Sequence, residues 1–255
     1  MTVKERISQW VDAHEQDMIR DIARLVAVKS VRGEPEPGAP FGPGPRAALD
    51  EALALCAEHG FKTAMCGGAV GTADLNDLPS RVDILAHLDV VAEGAGWDTP
   101  PYEAVLKGDG CLYGRGTDDD KGPVVMALYA MRCVRELGIP MKQGCRLIMG
   151  TDEESGSGDL PYYYSKHAPA PNTFTPDSGF PLYNVEKGSY KPVLRRSWAA
   201  ESALPRVSSI EGGFRINVIP SDAKATVLGL DAAEVLRLGG AEAGRCGVVL
   251  SACDV

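Results

Sequence analysis

Four short segments of this sequence hold imidazole or carboxylate side chains that could bind metal ions. They are residues 87–89 (His-Leu-Asp), 118–122 (Asp-Asp-Asp-Lys-Gly), 152–154 (Asp-Glu-Glu) and 176–178 (Pro-Asp-Ser). Each segment alone has an ordinary explanation, because acidic residues at a helix start are favoured by the helix dipole and a histidine at a strand end is commonly a hydrogen-bonded structural residue. All four, however, follow an apolar strand-like run or stand at a helix start within one part of the chain.

The chemistry that such a set of side chains favours is metal-assisted hydrolysis. Imidazole together with several carboxylates suits zinc, and also manganese or cobalt, while the absence of a Cys-x-x-Cys pair argues against a closed structural zinc site. Two neighbouring cations need a shared carboxylate, and a water between them becomes acidic enough to supply the nucleophile. In the pair Glu153 and Glu154, one carboxylate can bind a metal while the other accepts the proton of that water.

The elements that must position these side chains alternate along the chain. Helical periodicity predicts helices, and apolar runs between turn residues predict buried strands. The predicted helices cover 3–28, 47–59 and 122–137, and the predicted strands cover 82–91 and 146–151. This alternation implies an α/β fold with a substantially parallel sheet, in which ligands gather at the carboxyl ends of the strands.

The remaining sequence features narrow the class of protein. The net charge of −9 argues against nucleic acid or an anionic membrane surface as a partner, because an acidic field repels both. The charged N-terminus does not resemble a signal peptide, and no segment is apolar for long enough to span a bilayer. Seven scattered cysteines suit a reduced, cytoplasmic location. After about residue 185 shorter strand-like runs begin a second domain, which ends in a helix from 231 and a strand over 247–250.

Longer stretches around these segments resemble the M20 metallopeptidases, and most closely their PepV-like dipeptidase branch. The stretches that carry the resemblance are 87–91, 97–102, 112–123 and 150–156. The resemblance runs from about residue 19 to residue 228, in the family's order. It implies a layered α/β/α catalytic domain with a mainly parallel mixed sheet over 1–184, followed by part of a smaller α+β lid domain over 185–255.

The same resemblance implies a site for two zinc ions, with cobalt or manganese as alternatives. His87 and Asp177 would bind the first ion, Glu154 the second, and Asp119 would bridge both. The family often has a cis peptide after the bridging aspartate, which here joins Asp119 to Asp120.

Further residues take catalytic and substrate roles by this resemblance. Glu153 would be the general base, and Asp89 would orient the ligating imidazole of His87. Residues 212–220 resemble the family's lid segment, in which Asn217 would face the substrate, although a turn asparagine before a strand is an equal alternative.

The chain departs from the family's pattern at its end. Family members complete the second metal site with a histidine near the end of a longer chain. The other histidines here, His14, His59 and His167, do not stand in that context and are expected to be ordinary surface or capping residues. We therefore expect the chain to stop inside the lid, with the second metal site incomplete.

The leading functional hypothesis is metal-dependent hydrolysis of dipeptides, with a small peptide as the partner. A second hypothesis is an M20-type amidohydrolase or deacylase that acts on N-acyl amino acids, because the metal-binding motifs do not separate these substrates. A third is a truncated remnant without catalytic activity. The sequence favours no oligomeric state.

Overall fold

The structure of the protein is a computed structural model that describes residues 1–179, 181–185, 188, 190–197, 202–213, 220 and 222–254. These residues belong to two compact units, Met1–Asn184 and Val185–Val255. The described helices are α1 (Val3–Val26), α2 (Pro43–Glu58), α3 (Lys121–Glu136), α4 (Asp159–Tyr164) and α5 (Ala232–Cys246). The described strands are β1 (Lys62–Cys66), β2 (Val70–Asp74), β3 (Ser80–His87), β4 (Val105–Leu106), β5 (Leu112–Tyr113), β6 (Gly144–Gly150), β7 (Asn172–Phe174), β8 (Arg206–Gly212) and β9 (Ala223–Leu228).

The three long helices of the first unit form where periodicity predicts them. At the start of α1, Thr2 before the helix and Glu5 in its first turn form a reciprocal capping box that satisfies two free backbone amides. The second helix, α2, begins four residues earlier than predicted, because Pro43 at its first position has the backbone angle that a helix start needs. The third helix, α3, ends at Glu136, shortly before Gly138, which adopts a left-handed conformation with φ 62°.

The central sheet of the first unit is mixed. Its strand order is β1-β2-β6-β3-β7, in which β3 pairs in parallel with β6 and β7, and β2 pairs antiparallel with β1 and β6. The hairpin of β1 and β2 was not predicted. It turns at Gly67 and Gly68, which both have positive φ, as a tight hairpin turn requires.

Both faces of this sheet carry helices, as the predicted layered α/β/α fold requires. Successive residues of a strand face opposite sides of a sheet. Leu147 and Met149 of β6 belong to the large core formed with α1, α2 and α3. Between them, Ile148 belongs to a smaller core with Val70 and with Tyr163 of α4.

The second unit consists, in its described part, of a hairpin and a helix. The strands β8 and β9 pair antiparallel, and Asp231 caps the start of α5 by accepting a hydrogen bond from the amide of Glu234. The predicted strand over 247–250 is wrong, because Gly247 ends α5 in a left-handed conformation and the following described residues join no strand. No described helix of the chain has the length and hydropathy needed to span a membrane.

Candidate metal centre

The carboxyl ends of two parallel strands bring three of the predicted ligands together. His87 is the last residue of β3, and Asp177 follows the end of the neighbouring strand β7 by three residues. Asp119 lies just before α3. The imidazole Nε2 lies 3.0 Å from Asp119 Oδ1 and 3.5 Å from Asp177 Oδ2, and the three side chains can place one ligand atom each within 4.8 Å of one another. Residues distant in sequence therefore form one cluster.

The burial and the neighbours of the His87 ring show that this cluster is suited to a cation. Nε2 is buried and forms no well-directed hydrogen bond within the described part of the chain, although a carboxylate oxygen lies 3.0 Å away. Burial lowers the pKa of His87, but the carboxylates of Asp119, Asp177 and Asp89 outweigh this effect and leave the pKa raised. A buried nitrogen that faces two carboxylate oxygens is a suitable environment for a divalent cation.

The other ring nitrogen of His87 is held by the main chain. Nδ1 lies 2.9 Å from the carbonyl oxygen of Asp89 and donates to it, which leaves Nε2 as the ring nitrogen that could bind a cation. The carboxylate of Asp89 is 3.5 Å from Nδ1 and accepts hydrogen bonds from the amides of Glu153 and Glu154, both at 3.1 Å. Asp89, which is 1% exposed, thus connects the imidazole to the turn that carries Glu153 and Glu154, which we call the acidic turn.

This acidic turn presents Glu153 and Glu154 beside the cluster. Oε2 of Glu153 lies 4.0 Å from Nε2 of His87, and the Glu153 side chain is 49% exposed. Burial raises the pKa of Glu153, and the carboxylates of Asp177, Asp89 and Asp119 add to this effect against the influence of His87. Such a carboxylate accepts a proton from water more readily than an ordinary one. Burial also raises the pKa of Glu154, which is not part of the three-residue cluster.

Comparison with known proteins shows which family the sequence around this site resembles. Residues 84–186 match the family model described as peptidase family M20/M25/M40. A Bacillus subtilis (strain 168) protein named "Putative dipeptidase YtjP" is 35% identical over 227 residues, which cover 87% of this chain and 49% of that protein. The chain thus resembles the M20 peptidase family, and the family match itself covers residues 84–186. It spans about half the length of the curated relatives that it matches.

Solved structures agree with this resemblance to the M20 family. Human carnosine dipeptidase 1 is 26% identical with a TM-score of 0.56, and the match covers 65% of this chain and 38% of that one. The M20 family metallo-carboxypeptidase Sso-CP2 from Sulfolobus solfataricus has a TM-score of 0.53 at 20% identity, over 62% of this chain and 37% of that one, and shows the fold alone. The resemblance to the M20 family and the α/β fold class are thereby confirmed.

Two buried residues beside this cluster were not predicted individually to have a role in the site. Asp120 and Lys121 are both 0% exposed. Asp120 Oδ2 accepts a hydrogen bond from the backbone amide of His87 at 2.9 Å, and Lys121 Nζ donates to the carbonyl of Val28 at 2.6 Å. Burial raises the pKa of Asp120 to about 8 and lowers that of Lys121 to about 8. The predicted cis peptide between Asp119 and Asp120 is confirmed, whereas Asn217 lies outside the described residues.

Gly122 allows the loop that carries Asp119 to close tightly, and its replacement by alanine is expected to destabilise the first unit. An added Cβ would lie 2.0 Å from the carbonyl oxygen of Thr117. The loop must therefore move, and we expect Gly122→Ala to cost about 1–3 kcal/mol in the free energy of unfolding, measured by urea denaturation. Gly108→Ala is the control, because an added Cβ there meets nothing within 4 Å. Equal stability of the two variants would contradict this packing argument.

Proposed function

We propose that this chain is part of a metal-dependent peptidase that hydrolyses dipeptides. The observation that supports it most is the buried Nε2 of His87, which faces carboxylate oxygens of Asp119 and Asp177 with Glu153 at 4.0 Å. The name of the B. subtilis relative supports a dipeptide as the substrate. The seven cysteines, all free, suit a cytoplasmic location.

The residues proposed to hold the metal are those predicted from the sequence. His87, Asp119 and Asp177 would hold one cation, and Asp119 with Glu154 would contribute to a second, with zinc as the leading candidate and cobalt or manganese as alternatives. A bound cation would polarise the scissile carbonyl and increase the acidity of an attacking water.

The remaining residues of the site would manage the proton and keep the ligands in place. Glu153 would accept the proton of the attacking water and then deliver it to the leaving amine, a role for which its raised pKa is suited. Asp89 would hold the imidazole of His87 by its carbonyl and the Glu153 amide by its carboxylate. Asp120 would fix the main chain at His87.

Each of the two compact units has its own proposed role. Residues 1–184 would form the catalytic domain, because His87, Asp119 and Asp177 all lie in it. Residues 185–255 would belong to a lid domain, in which Asn217 would contact the substrate.

The test of this proposal combines cation binding with peptide hydrolysis on one preparation of the chain. Metal content is measured by mass spectrometry, and hydrolysis is followed with dipeptides and with N-acetyl amino acids, in the presence of Zn²⁺, Co²⁺ or Mn²⁺ and after chelation. We expect bound metal in the chain and, in the peptidase of which it is proposed to be part, dipeptide hydrolysis that the chelator abolishes. A chain that binds no cation would contradict the metal site. Hydrolysis of N-acetyl amino acids alone would contradict the substrate.

A further inference from the structure

Four consecutive backbone amides, at residues 151–154, are held by two buried aspartates. Asp159 Oδ2 accepts hydrogen bonds from the amides of Thr151 at 2.6 Å and Asp152 at 3.2 Å. The carboxylate of Asp89 accepts from the next two amides, both at 3.1 Å. Each aspartate is 1% exposed. The turn that carries Glu153 and Glu154 is therefore fixed on one side by Asp89 and on the other by Asp159.

The surroundings of Asp159 show that its carboxylate is fitted to this position. It is the first residue of α4, and its Oδ1 accepts a hydrogen bond from the amide of Leu160 at 2.8 Å. At the end of β6, a Cβ added to Gly150 would lie 2.5 Å from Asp159 Oδ2, so the absence of a side chain there gives the carboxylate room to reach the turn. The two amides of the turn that Asp159 holds directly follow β6, which is paired on both sides in the sheet.

The Asp159 carboxylate lies close to the cluster of His87, Asp119 and Asp177 but does not belong to it. Asp159 lines a cavity of about 220 Å³ together with His87, Glu153 and Asp177. The group of side chains that could share one cation does not include Asp159. Among the described residues, the hydrogen bonds that the Asp159 carboxylate accepts come from backbone amides, which is the pattern of a group that acts through the main chain.

We infer that Asp159 is a positioning residue, whose carboxylate sets the direction in which Glu153 and Glu154 extend from the main chain. The inference rests on the proposed role of Glu153 as proton acceptor. A misplacement of about 1 Å in a catalytic group can lower a rate by about 100-fold, so a loosened turn should be visible in turnover.

The test is Asp159→Asn, in which a carboxamide of the same shape replaces the carboxylate. Asparagine has one accepting oxygen, so whichever way the carboxamide is turned, its amino group faces at least one amide N–H that cannot accept its protons, and the hydrogen bonds of the turn are weakened. We expect kcat for dipeptide hydrolysis to fall by about 10–100-fold with KM changed by less than about threefold. Hydrogen exchange at the amides of Thr151 and Asp152 should become at least about tenfold faster, while zinc affinity changes by less than about threefold.

Two further variants separate positioning from a general loss of stability. Asp83→Asn is the matched control, because Asp83 is a buried aspartate of β3 that accepts from the amide of Ala170 far from the turn. Gly150→Ala keeps the carboxylate but displaces it, and should reproduce the pattern of Asp159→Asn. Unchanged exchange at Thr151 and Asp152, or a fall in kcat no larger than that of Asp83→Asn, would overturn the inference. If the unsubstituted peptidase of which this chain is proposed to be part hydrolyses no dipeptide, the proposed function fails, and the exchange comparison still decides whether Asp159 holds the turn.

Discussion

Replacing Glu153 by glutamine is expected to lower kcat for dipeptide hydrolysis by about 10²–10⁴-fold, the usual contribution of a general base. The carboxamide keeps the shape of the side chain but cannot accept the proton of the attacking water. Cation binding should be nearly unchanged, because Glu153 lies outside the cluster of His87, Asp119 and Asp177 and its side chain is half exposed. The combination of lost turnover with retained affinity distinguishes a base from a ligand.

The Glu153→Gln experiment pairs steady-state kinetics with calorimetric titration of Zn²⁺ into the same protein. Glu15→Gln is the matched control, because Glu15 is an exposed glutamate on α1, outside the site. It should leave both measurements unchanged. A Glu153→Gln variant that keeps more than about a tenth of the original kcat would show that another group accepts the proton.

The elements with strong apolar patterns could be predicted from the sequence, and those with weak patterns could not. The stripes of α1 and α3 and the buried run of β3 gave correct elements. The hairpin of β1 and β2 was missed because its residues are mainly small or polar, so neither strand shows a clear alternation of apolar and polar side chains.

The end of β3 shows a second limit of sequence patterns. The predicted strand continued to residue 91, but the strand ends at His87. Leu88 and Val90 are still buried, at 0% and 2% exposure, although they lie beyond the end of the strand. The amide of Val90 donates to the carbonyl of Ser30. Apolar residues report burial, and burial continues here beyond the strand pairing.

The candidate site divides in the same way between what sequence can and cannot predict. The resemblance supplied His87, Asp119 and Asp177, which the structure brings together. It did not supply Asp120 or Asp159, because their partners are backbone amides whose positions depend on the complete fold. Within one acidic run, residue type alone does not separate the exposed Asp119 from the buried Asp120 that follows it.

Replacing His87 by alanine is expected to weaken the binding of one divalent cation by more than about 100-fold. Loss of an outer partner of a ligand already costs about 10–100-fold, and here the ligand itself is removed. The imidazole supplies the one nitrogen of the described cluster, and without it the carboxylates of Asp119 and Asp177 remain. Loss of dipeptide hydrolysis should accompany the loss of affinity, since the same cation is proposed to polarise the scissile bond.

The affinity of His87→Ala is measured by titration with Zn²⁺ and by metal content after dialysis, with far-UV circular dichroism to verify folding. His167→Ala is the control for nonspecific binding of zinc by a histidine, because His167 is exposed. His167 stacks on Tyr163, near the end of α4, whereas Asp159 is the first residue of that helix. It should bind zinc as the unsubstituted chain does. If His87→Ala retained an affinity within about tenfold of the original, the cation would be held elsewhere. The proximity of Glu153 to His87 would then no longer support a hydrolytic role.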